Sequence, residues 1–206
     1  LFGTAGKGFR NPTIRELYLF PAPNPDLQPE QTTTTQLGVR YEPATTFSAD
    51  MTLYRTRGNN MIEMLGQWPN LQLQNSGEVF FQGTEVALKF IPVSGLHLGL
   101  NYSAFRSDTP VSSQPADHLE MTLTHHGSWY TLRYKFRHVK GVQNIINKEY
   151  ITLPAYSVTT VGLDLVPFEF GHLFLTVENL WNTDYQTMFG YPMPGRTVEG
   201  GMTFDL

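Results

Sequence analysis

The sequence predicts an all-β fold: an antiparallel transmembrane β-barrel sheet of about ten strands. Three observations carry this: the rhythm of the connectors, the alternation of side chains within segments, and a composition rich in rings and poor in charge. Nine connectors separate ten strand-like segments, and they alternate between long and short. The short ones are Glu42–Thr45, Ile91–Gly95, His126–Gly127 and Pro167–Gly171, whereas Arg10–Glu30, Gly58–Ser76 and Arg106–Asp117 are long. A meander in water has no reason to treat its two ends differently. A barrel in an outer membrane carries tight turns on the periplasmic side and extended loops outside.

The segments follow in order. Leu1–Phe9 is Gly-rich and Gln31–Glu42 opens on a Thr run. Both are expected as strands, because β-branched Thr suits an extended backbone and an even count begins and ends on one side. Phe47, Ala49, Met51 and Leu53 then oppose Ser48, Asp50, Thr52 and Tyr54. Val86, Leu88 and Phe90 oppose Glu85, Ala87 and Lys89. In Leu96–Phe105, Leu96, Leu98, Leu100 and Tyr102 oppose His97, Gly99, Asn101 and Ser103. In His118–His126, Leu119, Met121 and Leu123 oppose Glu120, Thr122 and Thr124.

Tyr130–His138 is the most telling segment. Tyr130, Leu132, Tyr134 and Phe136 oppose Thr131, Arg133, Lys135 and Arg137. Successive cations on one face would be costly in a packed core and are acceptable along a wet lumen. Val161, Leu163 and Leu165, then Leu173, Leu175 and Val177, repeat the pattern. Tyr41, Phe47, Tyr102, Tyr130, Tyr156 and Phe170 sit at segment ends, where an interfacial aromatic girdle is expected. Asp50, Glu85, Glu120 and Glu178 are expected in the lumen, paired with Arg133, Lys135 and Arg137.

Composition agrees. Charged residues make up 16% of the 206 and aromatic residues 13%, with 14 Phe, 10 Tyr and 3 Trp. The mean hydropathy of -0.26 fits a barrel, in which only alternate residues meet lipid. No apolar run approaches the roughly 18 residues of a membrane helix. A net charge of -4 without a basic stripe argues against nucleic acid as a partner. The absence of Cys removes disulfides and thiol chemistry together. Leu1–Phe9 already reads as strand, so a chain cut from something larger is expected.

The last segment reads GRTVEGGMTFDL, with Val198, Met202, Phe204 and Leu206 on one face. Glu199, Gly201, Phe204 and Leu206 resemble the C-terminal signal of outer-membrane barrels, departing from it in a terminal Leu where most members carry Phe. GKGFRNPTIRELY followed by NPDLQPE (Gly6–Tyr18, Asn24–Glu30) is similar to paired boxes in one extracellular loop of TonB-dependent outer-membrane receptors. Asn60-Met61-Ile62, Asn75-Ser76-Gly77, Gly83-Thr84-Glu85 and Pro115-Ala116-Asp117-His118 follow in that family's order. So do Asn179-Leu180-Trp181-Asn182, Tyr185, Gly190-Tyr191-Pro192 and Pro194-Gly195-Arg196.

The resemblance implies the C-terminal portion of a 22-stranded barrel, with residues 1–206 as one domain and no plug in this chain. It implies outer-membrane lipid and the barrel-assembly machinery as partners, and TonB only through a missing N-terminal region. The implied cargo is a small metal complex, a ferric siderophore first, with cobalamin and haem as alternatives. Haem receptors often carry a His between the paired boxes. Between Arg10 and Asn24 there is none, although Tyr18 remains, which disfavours haem.

Ligand contact is assigned to Arg10, Tyr18, Phe20, Trp68, Tyr185, Met188, Tyr191 and Arg196, with Phe189 among the same loop aromatics. Guanidinium offers planar recognition of an anionic chelate, and amphipathic rings suit a bulky, partly apolar ligand. For Arg10 and Arg196 the favoured reading is structural, pairing with Glu16, Glu30 or Glu199 to hold the loops. No catalytic residue, metal site or cofactor is expected: Asp117-His118 and His125-His126 are strand neighbours pointing to opposite faces. Two other classes stay open, a self-contained ten-strand barrel (pore or surface enzyme) and a soluble β-sandwich binding module.

Overall fold

The computed structural model describes residues 1–19, 22–65, 70–109, 111, 113–146, 149–168 and 171–204. The chain runs through β1 (Phe2–Arg10), α1 (Ile14–Tyr18), β2 (Glu30–Ala44), β3 (Phe47–Leu65), β4 (Gln72–Phe90), β5 (Leu96–Ser107), β6 (Asp117–His126) and β7 (Tyr130–Lys140). It continues as β8 (Gln143–Ile146), β9 (Glu149–Thr152), β10 (Tyr156–Phe168), β11 (Gly171–Glu178), β12 (Gln186–Met188), β13 (Tyr191–Pro192) and β14 (Thr197–Phe204).

Among the described residues, ten strands form one sheet in the order β1-β2-β3-β4-β5-β6-β7-β10-β11-β14. The registers resolved in it are antiparallel: Phe2 faces Gly38, Tyr102 faces Leu119, Leu123 faces Tyr134, Leu132 faces Leu163 and Leu175 faces Gly200. β8–β9 and β12–β13 are separate two-stranded hairpins inside two of the long connectors. β1 and β14 stand at opposite ends of the order, and no pairing joins them among the described residues.

The connector rhythm holds, with one correction. The expected loop Gly58–Ser76 is mostly strand, because β3 continues to Leu65 and β4 begins at Gln72. The Gly-Asn-Asn run that breaks the alternation there is an irregularity within pairing. Asn60 adopts a left-handed φ of 57°, and the Asn75 side chain donates to the Asn60 carbonyl at 2.8 Å. An Asn side chain thus satisfies backbone that a regular ladder would have paired.

The chain divides into two compact units. The first comprises Leu1–Gly38, Thr52–Gly83 and Arg106–Thr109; the second comprises Val39–Met51, Thr84–Phe105 and Pro110–Leu206. In the first, Leu37 and Leu53 are exposed apolar side chains on paired strands. In the second, Met51, Met121, Leu175, Val198 and Met202 are likewise exposed. Apolar side chains exposed strand after strand, with so little buried, suit a wall facing hydrocarbon.

A concavity of about 450 Å³ in the second unit is lined by Phe47, Leu88, Phe90, Leu98, Met121 and Tyr134, with Leu100 and Leu123 beside them. Apart from Gly99 and Thr122, which also border it, the lining residues are those the alternation assigns to lipid. The concavity is therefore a groove between outward-facing side chains, suited to acyl chains rather than to a polar ligand. At the short-turn end Tyr41, Phe47 and Phe90 form edge-on ring contacts, and Trp129 meets Tyr130. Tyr41, Phe47 and Tyr130 are among the residues expected in an interfacial girdle, and Phe170 lies outside the described residues.

The opposite face is polar, and its pairing differs in part from expectation. Lys135 pairs with Glu120 at 3.0 Å as expected. Arg133 instead pairs with Asp164, and Asp50 with Arg40 at 2.6 Å. The register explains this: Asp164 and Thr131 are cross-strand partners, one pair removed on the same face from Arg133 and Gly162. A carboxylate two residues along the adjacent strand was not visible in the alternation of one strand alone.

Candidate functional site

Two polar and aromatic constructions occupy the long-connector ends of the strands, one in each unit. In the first unit Arg10 ends β1 and faces Glu30, which begins β2. Arg10 Nε donates to Glu30 Oε2 at 2.5 Å and Nη2 to Glu30 Oε1 at 2.9 Å. The other edge of the guanidinium meets Glu16, Nη1 donating to Oε2 at 3.0 Å. The fork is thus shared between two carboxylates, a bidentate geometry that only Arg provides.

Glu16 is held from its own side as well. Thr13 caps α1, its hydroxyl accepting from the Glu16 N–H while Glu16 Oε2 accepts from the Thr13 N–H at 2.7 Å. This reciprocal capping box satisfies helix-end donors within a five-residue helix too short to be stable alone. The Arg10 guanidinium, then the Thr13 N–H, hold the Glu16 carboxyl down at about 2, below its ordinary 4.5. Glu30 Oε1 also accepts from the Ile62 N–H at 2.9 Å, tying the knot to β3.

The second box is fastened in the same manner. The Asn24 side chain donates to Leu73 O at 2.7 Å and accepts from Asp26 N–H. The Asn75 side chain accepts from Gln28 N–H at 2.7 Å and donates to Gln28 O. Each Asn side chain acts as a peptide group, supplying donor and acceptor where the backbone leaves the ladder.

In the second unit Asn179 takes a left-handed φ of 49° and is buried. Its amide donates to Thr183 O at 2.9 Å and Pro194 O at 3.2 Å, and its Oδ1 accepts from Thr183 N–H. Asn182 Oδ1 accepts from Arg196 N–H at 2.8 Å. The Asn-Leu-Trp-Asn motif is therefore a clamp across both ends of the connector between β11 and β14.

Above that clamp lies a hollow of about 380 Å³. Leu153, Tyr156, Tyr185, Phe189, Pro192 and Met193 line it, with Asp184 and Gln186 as polar members. Tyr156 and Tyr185 stack with centroids 4.5 Å apart. Tyr156 is buried with Val139, Val142, Leu153 and Val158. It is therefore core beneath the loops rather than a girdle ring. The buried Asn144 on β8 accepts the Phe189 N–H through Oδ1 at 2.6 Å, fixing one hairpin against the other. Concave, apolar-aromatic walls with a few fixed polar groups are the usual form of a small-molecule site.

Of the residues assigned to ligand contact, Tyr185 lines the hollow. Met188 and Tyr191 pair across its covering hairpin and are exposed. Tyr18 ends α1, exposed. Arg10 is engaged by Glu16 and Glu30. Arg196 is held through its backbone, with no ion pair to Glu199 among the described residues. Phe20, Trp68 and Leu206 lie outside the described residues.

In β14, Phe204 faces Gly171 and Glu199 faces Thr176. Gly201 lies under the Phe174 ring, where a Cβ would come within 2.4 Å of ring carbon. Leu153, Tyr156, Pro192 and Met193 escaped sequence reasoning as site residues. The Asn179 and Asn182 clamp was the available signal, since it brings both ends of that connector together.

Residues 1–185 match the family described as TonB dependent receptor-like, beta-barrel. No curated protein sequence matches the chain. Among solved structures, the pyoverdine outer membrane receptor FpvA from Pseudomonas aeruginosa PAO1 is 14% identical with a TM-score of 0.82, over 99% of this chain and 33% of that one. The copper transporter OprC is 18% identical with a TM-score of 0.78, over 98% and 36%. The FrpB iron transporter from Neisseria meningitidis is 16% identical with a TM-score of 0.77, over 97% and 36%. The chain thus spans about a third of the length of the structures it matches. These proteins are an outer-membrane receptor and two transporters. With most of its length inside the family match, the chain belongs to the TonB-dependent receptor β-barrel family of the bacterial outer membrane.

Proposed function

We propose that this chain is the C-terminal portion of the barrel of an uptake receptor that captures a scarce metal complex, a ferric siderophore first, for TonB-coupled import. The supporting observation is the stacked Tyr156–Tyr185 hollow with Phe189 and Met193, built on strands by Asn-based clamps. Rings of this kind present apolar faces and polar edges, which suits a chelate with an organic shell and a polar centre. One matched structure holds pyoverdine and another is an iron transporter, which supports an iron complex over cobalamin or haem.

In this reading the lumen-facing Arg133, Lys135 and Arg40 line the polar side of the wall, each held by a carboxylate. A plug domain and the contact to TonB belong to the rest of the receptor, and the barrel-assembly machinery inserts the whole through its last strand.

The test is uptake by the full-length receptor, including everything encoded upstream of Leu1, in a host lacking its own siderophore receptors. Radiolabelled iron offered as ferric siderophores should accumulate only while TonB is present. Import of cobalamin or haem with no siderophore import would overturn the substrate assignment. Import that persists without TonB would overturn the coupling.

A further inference from the structure

His125 and His126 are strand neighbours on opposite faces of β6, so neither completes a site for the other. The adjacent strand supplies what the neighbour cannot. On β5, His97 faces Thr124 of β6, and His126 is the next residue on that face of β6. The two imidazoles meet with ring centres 5.5 Å apart and an interplanar angle of 82°. Both residues are exposed, on the polar face at the short-turn end of the sheet.

Two short turns hold the pair together. Gly95, just before β5, takes a φ of 82° and its carbonyl accepts the His126 N–H at 2.8 Å. A Cβ at Gly95 would come within 2.5 Å of the His126 carbonyl oxygen, so this approach of the two turns requires glycine. On the other side, Gly127 N–H donates to Tyr130 O at 2.8 Å, and His126 faces Thr131 of β7. His126 Nδ1 lies 3.2 Å from the Thr131 hydroxyl oxygen. With Nδ1 donating to that oxygen, Nε2 presents its lone pair, which is how an outer contact orients a ligating imidazole.

The spacing is that of a chelating pair. Two imidazoles on one tetrahedral ion, with metal–nitrogen bonds of about 2.1 Å, hold their ring centres about 5 Å apart. Side-chain rotation covers the difference, because both rings are free to turn toward solvent. Arg133, the next residue after Thr131 on this face, is engaged by Asp164, which limits its repulsion of an ion. Among the described residues no third His or carboxylate joins the pair, so water fills the remaining positions. Imidazole nitrogen suits copper, nickel and zinc ions, whereas magnesium and calcium need oxygen ligands.

We propose that His97 and His126 form a bis-imidazole site for a divalent transition-metal ion, Cu²⁺ binding most tightly and Ni²⁺ and Zn²⁺ less so. The site lies at the opposite end of the strands from the hollow around Tyr185. The inference is independent of which cargo the receptor carries.

The experiment titrates Cu²⁺ alone into the full-length receptor, purified in detergent and stripped of metal, and follows it by electron paramagnetic resonance. The wild type should bind one equivalent more than H97Q/H126Q, with hyperfine coupling to two imidazole nitrogens. H97Q and H126Q should each weaken that equivalent at least about tenfold, and H125Q, on the other face, should bind as the wild type does. Excess Mg²⁺ should not displace the copper. Should the double variant not assemble, as judged by heat-modifiable migration, wild-type receptor is labelled with diethyl pyrocarbonate with and without Zn²⁺. Zn²⁺ should protect His97 and His126 together and leave the exposed His172 reactive. Equal copper binding by the wild type and H97Q/H126Q, displacement by Mg²⁺, or equal labelling of His97 and His126 with and without Zn²⁺ overturns the proposal.

Discussion

Arg10 and Glu30, the first and last residues of a long connector, face one another across β1 and β2 and share two hydrogen bonds of 2.5 and 2.9 Å. Glu16, inside the same connector, takes the other edge of the guanidinium. One side chain thus closes the base of the loop and pins its only helix among the described residues. The sequence offers Arg10 as a ligand-contact candidate but favours loop closure, and its geometry is that of closure.

Replacing Arg10 with Ala should loosen this loop by roughly 2 kcal/mol, the scale of hydrogen bonds to charged groups. Limited proteolysis of the folded receptor reads it directly. Cleavage between residues 11 and 29 should accelerate, while the barrel keeps its heat-modifiable migration. Unchanged cleavage would show that the knot does not hold the loop.

Acid should act on the same knot through Glu16. Its carboxyl is lowered from 4.5 to about 2, so it binds protons less readily folded than unfolded. The stabilisation is therefore complete above the ordinary carboxylate value and is lost as pH falls from about 4.5 through about 2. Amide exchange in α1 should be insensitive between pH 7 and 5, after correction for intrinsic rates, and rise below that range. Glu16→Gln should be loose at every pH and lose the dependence.

Gly201 should be needed for the space it leaves. A Cβ at this position would meet the Phe174 ring at 2.4 Å. Gly201→Val should lower the yield of assembled receptor, and Phe174→Ala in the same chain should restore much of it. If Gly201→Val fails equally with and without Phe174, the resemblance of this segment to an assembly signal, rather than packing, explains the glycine.

Tyr185→Ala should weaken ferric-siderophore binding by the full-length receptor about tenfold, on the scale of about 1.4 kcal/mol for one aromatic wall. Tyr185→Phe keeps the stack and should bind nearly as the parent does. A Tyr185→Ala receptor with unaltered affinity would place the ligand elsewhere.

Much of the wall was legible because a strand has a period of two and its two solvents differ. Leu98, Leu100, Met121 and Leu123 fell on one face in the sequence and line one groove in the fold. Gly58–Ser76 was misjudged because left-handed Asn60 interrupts the alternation and the Asn75 side chain serves its backbone carbonyl, which looks like loop in a one-dimensional pattern. The hollow around Tyr156 and Tyr185 was half legible. Tyr185 stood out as a ring in a long connector, but Tyr156 sits at a strand end and looked interfacial. Only the fold of β8–β9 and β12–β13 shows it to be buried. Salt-bridge partners such as Arg133 and Asp164 depend on register between strands, which no single strand encodes.

The central claim is that the two faces of this sheet meet different surroundings, lipid on one and water on the other. Spin labels at Leu98, Leu132 and Leu175, and at Asn101, Thr131 and Thr176, in full-length receptor reconstituted into vesicles test it most directly. The leucine positions should be accessible to oxygen and shielded from a water-soluble nickel chelate, and the polar positions the reverse. Leucine labels quenched by the nickel chelate would contradict the account.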